Sequence, residues 1–313
     1  MTFFDKMLKI DRRWIYLLVA LAVIIPLLNP IGLPITITEP AQDIFDYMDK
    51  LPEGANVLIA IDFDPSSKPE LDPMLRALFR HCFSKRLHMV VVTLWPAGAA
   101  LGEDAVATVV GEFNSFYKEE LADPDKGSAF VQEKYGVVKE GDEDYLVSGV
   151  DYSYLGFKPG SALVVLGLGD SFTKTYPTDY SGNQTTNQEI FKNLKSLSDL
   201  DFMMDIAAGA TVEMWITYGK ERFKFDMGAG CTAVSATQYY PFLNSGQILG
   251  LLGGLKGAAE YEKMVLTAGY WHKPGPATQG MDAQSIVHTM TAIIVIFTNI
   301  FFLMQRTRRK EEE

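Results

Sequence analysis

Apolar residues fall along this 313-residue chain in two distinct patterns. At each end they form one long run, Trp14 to about Leu33 and Ile286 to Met304. Each run is close to the roughly 20 residues that a helix needs to cross a hydrocarbon core. Between them, short apolar runs alternate with stretches whose apolar positions recur every three or four residues. The short runs read as strands: 55–62, 88–95, 145–151, 202–207 and 223–227. Residues 68–85 place Leu71, Leu75, Leu78, Phe79 and Cys82 on one helical face. Helical spacing also marks 102–121, 161–176, 188–200, 211–220 and 247–266, with a polar loop over 176–187.

Strands apolar on both faces and separated by helices imply a parallel sheet covered on both sides. The expected fold is therefore α/β: a doubly wound, flavodoxin- or Rossmann-like parallel sheet flanked by two transmembrane helices. The corresponding boundaries are a tail over 1–13, a span over 14–33, a connector over 34–54 and the α/β domain over 55–269. A second connector over 270–285, a span over 286–304 and a tail over 305–313 complete the chain.

Charge orients this plan. Lys6, Lys9, Arg12 and Arg13 lie outside the first apolar run, and Arg306, Arg308, Arg309 and Lys310 beyond the second. Basic residues next to a span mark its cytoplasmic side. The expectation is a cell-membrane protein with both termini cytoplasmic and the central domain extracytoplasmic. The first run is expected to be a retained anchor, since Asn29 to Pro34 offers no small-x-small cleavage pattern. Net charge is −11; the tails carry +2 and +1, which leaves −14 between them. Such an acidic domain argues against nucleic acid as a partner. The tails are too short to fold alone, so the partners expected are the lipid bilayer and other integral membrane proteins.

Candidate chemistry collects where strands end, the place at which ligands bind in open α/β sheets. Asp62, Asp64, Thr93, Asp205, Gly228 and Gly230 are the ligand-site candidates. Tight turns require the same residue types, so the enrichment alone does not define a site. Asp62-Phe-Asp64 after an apolar strand, with Thr93 ending the next, resembles the first two motifs of haloacid-dehalogenase-type phosphohydrolases. That resemblance implies Asp62 as nucleophile, Asp64 as general acid/base, and Asp205 or Asp170 as a ligand for Mg²⁺. Pro65 departs from the family pattern. His81, His88, His272 and His288 lack metal-ligand spacing, and no cofactor or metal is expected. Cys82 and Cys231 are the only cysteines, either disulfide-bonded or free and partly buried. Asn183-Gln184-Thr185 matches a glycosylation sequon.

Two further groups read as contact surfaces. Gly246, Gly250 and Gly254 would line a shallow groove on one helix, open to close packing. His288 and Asn299 place polar groups in the second span and are expected to face another helix. The overall expectation is a structural or scaffold subunit of a membrane assembly and not an enzyme. A solute-binding or sensing module coupled to membrane partners is the alternative, and an Asp62/Asp64 phosphohydrolase the third.

Overall fold

The computed structural model describes residues 11–29, 31–122 and 145–312; Lys6 and Lys9 of the basic start lie outside them. The chain forms two compact units, Ile35–Gly275 and the terminal segments that flank it in sequence.

The larger unit is built on six parallel strands: β1 Asn56–Asp62, β2 His88–Thr93, β3 Tyr152–Phe157, β4 Phe202–Ala207, β5 Met227–Cys231 and β6 Leu251–Gly253. Their spatial order is 3-2-1-4-5-6, the doubly wound Rossmann order, which reverses direction between β1 and β4. Its principal helices are α1 Glu39–Lys50, α2 Lys68–Ser84, α3 Gly98–Ala122, α4 Ser161–Asp170, α5 Thr211–Met214, α6 Ala236–Asn244 and α7 Gly254–Thr267. Helix α5 runs on into a π-helical turn, Trp215–Lys220. Contacts join α7 to α1 and α2, and α2 to α3, as one layer. Across the sheet, Leu58, Ala60, Val90, Val92, Met203 and Ala229 pack with Val165, Leu168, Trp215 and Tyr239 of the second layer. Alternate strand residues thus serve opposite faces, as the pleat requires.

β1, β2 and β4 lie where the apolar runs predict them, but several expectations need correcting. The run 145–151 is a turn, and β3 starts only at Tyr152. Gly149 there has φ +81°, and the Asp151 carboxylate accepts the Val147 N–H at 2.7 Å, which closes the chain instead of extending it. Residues 188–200 form two short 3₁₀ turns, Glu189–Lys192 and Leu197–Asp199, rather than a helix. The fifth strand is not 223–227 but Met227–Cys231. Gly228 and Gly230 therefore lie inside the sheet, not beyond its edge. A Cβ on Gly230 would stand 2.3 Å from Met74 Sδ, and one on Gly228 would stand 2.9 Å from Met204 Sδ. Bare backbone at β5 makes room for Met74 and Ile44 beneath it.

The expected glycine groove does not form. Gly246 turns the chain at φ +73°, Gly250 precedes β6, and Gly254 opens α7. They share no helix face. At Gly250 a Cβ would meet the Pro40 carbonyl oxygen at 2.3 Å, so this glycine serves α1 packing within the domain. The expected connector over 34–54 contains that helix. Ala41, Ile44, Phe45 and Met48 recur at three- and four-residue spacing on its buried face. Cys82 and Cys231 are free and buried.

In the terminal unit an N-terminal helix, Arg12–Leu28, lies against a C-terminal helix, Pro276–Glu312. Among the described residues one helix, over Pro276–Met304, is long and apolar enough to cross a bilayer. The N-terminal helix has 17 residues, about 25 Å of rise, and stops short of the expected Leu33. Beyond its end the chain forms a clasp: the N–H groups of Ile31, Gly32 and Leu33 donate to the Asp282 carboxylate at 2.9, 2.8 and 2.8 Å. Gly32 adopts φ +73° to make that bend. Thr289, Thr291 and Thr298 bond back to carbonyls one turn earlier in their own helix. Asn299 does the same, donating to Val295 O at 2.8 Å, and His288 is exposed.

Candidate functional site

Strand reversal in this order leaves a gap between the connections that leave β1 and β4, and ligands of such sheets occupy it. Here Asp62 ends β1 and Asp205 lies in β4. The register pairs Ala60 with Asp205 and Asp62 with Ala207, so the two carboxyl groups sit on diagonal positions of adjacent strands. Both alternate with Leu58, Ala60, Met203 and Ala207 of the same core face. Asp62 is 1% exposed and Asp205 0%.

Asp62 is held by three donors, two at the end of β2 and one on the π turn. Its Oδ1 accepts the Leu94 N–H at 2.6 Å, with the Thr93 hydroxyl at 3.3 Å. Its Oδ2 accepts the Trp215 indole N–H at 3.3 Å. Thr93 lies closer to the Trp95 carbonyl, at 2.8 Å, and in turn accepts the Trp95 N–H at 3.0 Å. This tight turn after β2 leads into α3 through Gly98. A Cβ on Gly98 would overlap Ile61 O at 2.2 Å and Thr93 Oγ1 at 2.5 Å. Glycine at the start of α3 thus permits the close approach that brings the Leu94 amide to Asp62.

Asp205 is placed differently. Neither of its oxygens has a donor in good hydrogen-bond geometry, and the buried Thr211 hydroxyl faces it without forming a well-aligned bond. Burial, and then the charge of Asp62, hold the Asp205 carboxyl well above the usual carboxylate range, with the Thr211 hydroxyl acting against them. Burial likewise raises Asp62 from 3.8 to about 6, against the opposing pull of the Leu94, Trp215, Asp205 and Thr93 contacts. The surroundings are aromatic. Tyr176 and Tyr239 are both pushed upward, first by burial and then by the charges of Asp62 and Asp205 respectively. The Tyr239 hydroxyl donates to Gly209 O at 2.5 Å, closing the turn after β4.

The remaining predicted residues lie apart from this pair. Asp64 is partly exposed and accepts from the Ser66 hydroxyl and N–H at 2.6 and 2.9 Å, which lowers its pKa. Asp170 is exposed and paired with Lys174 at 3.3 Å. Gly228 and Gly230 belong to the sheet interior. Among the described residues no group of three or more His, Cys, Asp or Glu is arranged to hold a metal. Trp215, Thr211 and Tyr176 are not legible as site residues in the sequence. Trp215 in particular opens a π turn after β4, for which the periodicity of 211–220 carries no signal.

The domain also holds a cavity of about 300 Å³, lined by Phe113, Phe116, Tyr145, Tyr270, Trp271 and His272 together with small residues. Phe113 stacks on Trp271 at 5.2 Å, and Phe116 on His272 at 4.8 Å. The Arg80 guanidinium, itself paired with Glu112 at 2.9 Å, lies 4.8 Å from the Trp271 ring centroid.

No protein-family model matches this chain, and neither the curated proteins nor the solved structures contain a significant match to it.

Proposed function

We propose that this protein is a bilayer-anchored structural subunit, a rigid α/β domain that serves a larger membrane assembly without catalysing a reaction. The observation that carries the reading is the occupation of the strand-reversal gap by the chain's own groups. Trp215, 0% exposed, hydrogen-bonds to Asp62 where a substrate or nucleotide would otherwise lie. A nucleophile needs an open line of attack, and Asp62 is enclosed with N–H donors on both oxygens. That geometry speaks against the phosphohydrolase reading. On the basic flanks of the two apolar runs, both termini are cytoplasmic and the domain extracytoplasmic. Both terminal helices then lie in the cell membrane and contact other integral membrane proteins, with the exposed His288 and Asn299 as contact residues.

The second reading, a sensing module coupled to membrane partners, is favoured by one observation. The aromatic-lined cavity has the size and lining of a small-molecule site. The deciding experiment is gentle detergent extraction of the native particle, followed by determination of its mass and composition. Co-purifying membrane proteins in fixed ratio are the expected result. A solitary chain with detergent overturns the scaffold reading, and ligand retention by that solitary chain supports the sensing module in its place.

A further inference from the structure

We propose that Asp62 and Asp205 hold one proton between them at neutral pH, with Asp205 the neutral acid, and that this proton keeps Trp215 seated over the strand-reversal gap. The assignment rests first on where the donors are. Both oxygens of Asp62 accept N–H groups, from Leu94 and from Trp215, so this carboxyl is built to be the anion. Asp205 receives no well-aligned donor on either oxygen although it is fully buried. A buried carboxylate without donors is the costlier form, whereas a carboxylic acid there needs only an acceptor. Asp62, on the adjacent strand and the same face and electrostatically coupled to Asp205, is the acceptor assigned to that proton.

The groups that face the pair come from every element packed on it. They are Thr93 and Leu94 after β2, Trp215 on the π turn, Thr211 at the start of α5 and Tyr176 in the loop after α4. Cys231 at the end of β5 and Tyr239 on α6 complete the shell. None is a Lys, Arg or His, and the tyrosines and the thiol are held neutral by burial. A metal ion is a poor substitute for the proton, because it would face the same N–H groups that already occupy Asp62. The pair therefore works as a pH-sensitive closure. When Asp205 releases its proton to solvent, two adjacent carboxylates are left buried together and must be hydrated or separated. Water reaches Asp62 Oδ2 by displacing the indole that now bonds to it.

The test uses the full-length chain in detergent. At pH 7 its infrared spectrum should contain the carbonyl stretch of a protonated carboxylic acid, and Asp205→Asn, which is isosteric, should lack it. Raising the pH of the wild type should remove the band in a one-proton step. Tryptophan emission should shift toward that of a hydrated indole in the same step, and Trp215→Phe should abolish the shift. Should Asp205→Asn not fold, the coincidence of band loss and emission shift in the wild type decides. A wild type with no protonated carboxyl at neutral pH overturns the proposal, as does a band that survives Asp205→Asn. So does a Mg²⁺- or Ca²⁺-dependent loss of the band at pH 7, which would make the gap a cation site.

Discussion

His81 offers a direct test of how burial sets charge in this domain. It lies on α2 with no exposed surface, stacked on Phe45 at 4.6 Å and on Tyr270 at 4.9 Å. His81 Nδ1 hydrogen-bonds with the Tyr261 hydroxyl at 2.8 Å, and that hydroxyl also lies 3.1 Å from Met48 Sδ. Nε2 is left without a partner, since Asp49 stands 3.8 Å away. Burial lowers the imidazole from 6.5 to about 4; the Asp49 charge opposes this and Lys85 adds to it. The unfolded chain therefore binds the extra proton first on acidification. His81's contribution to stability is complete above pH 6.5 and is lost as pH falls toward 4. Between pH 7 and 4.5 the two pKa values correspond to a loss of about 2.5 kcal/mol.

Replacing His81 by Phe keeps a ring in the stack and removes the titration. At pH 7 the variant should be less stable by about 1 kcal/mol, the worth of one hydrogen bond. At pH 4.5 the order should reverse, with the variant ahead by roughly 1.5 kcal/mol. Asp62 titrates with the opposite sign: its raised pKa contributes stability in acid that is lost as pH rises through about 6. Because that effect is common to both proteins, it cancels in the comparison. Urea unfolding of both chains across pH 4.5–7, followed by circular dichroism, measures the difference. A gap between them that does not change with pH would refute the argument that burial keeps His81 neutral.

Three further outcomes are expected from the packing. Gly98→Ala places a methyl group 2.2 Å from the Ile61 carbonyl oxygen, which as backbone has little freedom to yield; destabilisation of about 2 kcal/mol is expected in urea titration, and an unchanged midpoint would show that α3 shifts freely. Asp282→Ala strips the acceptor from three N–H groups at once, and limited proteolysis should cut far faster between Asn29 and Pro34; equal cleavage rates would remove the clasp from the account. Cys82 and Cys231 are buried thiols, both raised by burial, Cys231 to about 12. The native protein should not react with a thiol reagent, and the urea-unfolded protein should titrate two thiols without prior reduction.

The strands most easily read from sequence are those whose order in the sheet makes them central. β1, β2 and β4 are runs of Val, Ile, Leu and Met, because a strand buried on both faces has no polar side to betray its pleat. β5, read as Met-Gly-Ala-Gly-Cys, has no such signature. Its glycines answer to Met74 and Ile44, side chains distant in sequence, and strand preference of this kind resides in the neighbours. α1 escapes a reading of the sequence for a related reason. Its apolar stripe of Ala41, Ile44, Phe45 and Met48 comes after two prolines, which weigh toward a connector until a surface is available to bury the stripe.

By itself, then, the sequence determined what local pattern can carry: the alternation of strands and helices, the two apolar ends with their basic flanks, and the acids at the strand ends. Only the tertiary structure decided which of those acids meet. Asp64 lies two residues from Asp62 and points away to Ser66, whereas Asp205 lies 143 residues distant and shares its buried face. The physical reason is the strand order. Parallel pairing of β4 beside β1, together with a π turn that carries Trp215 over the junction, creates a low-dielectric pocket for two carboxyl groups, and no spacing along the chain encodes that neighbourhood.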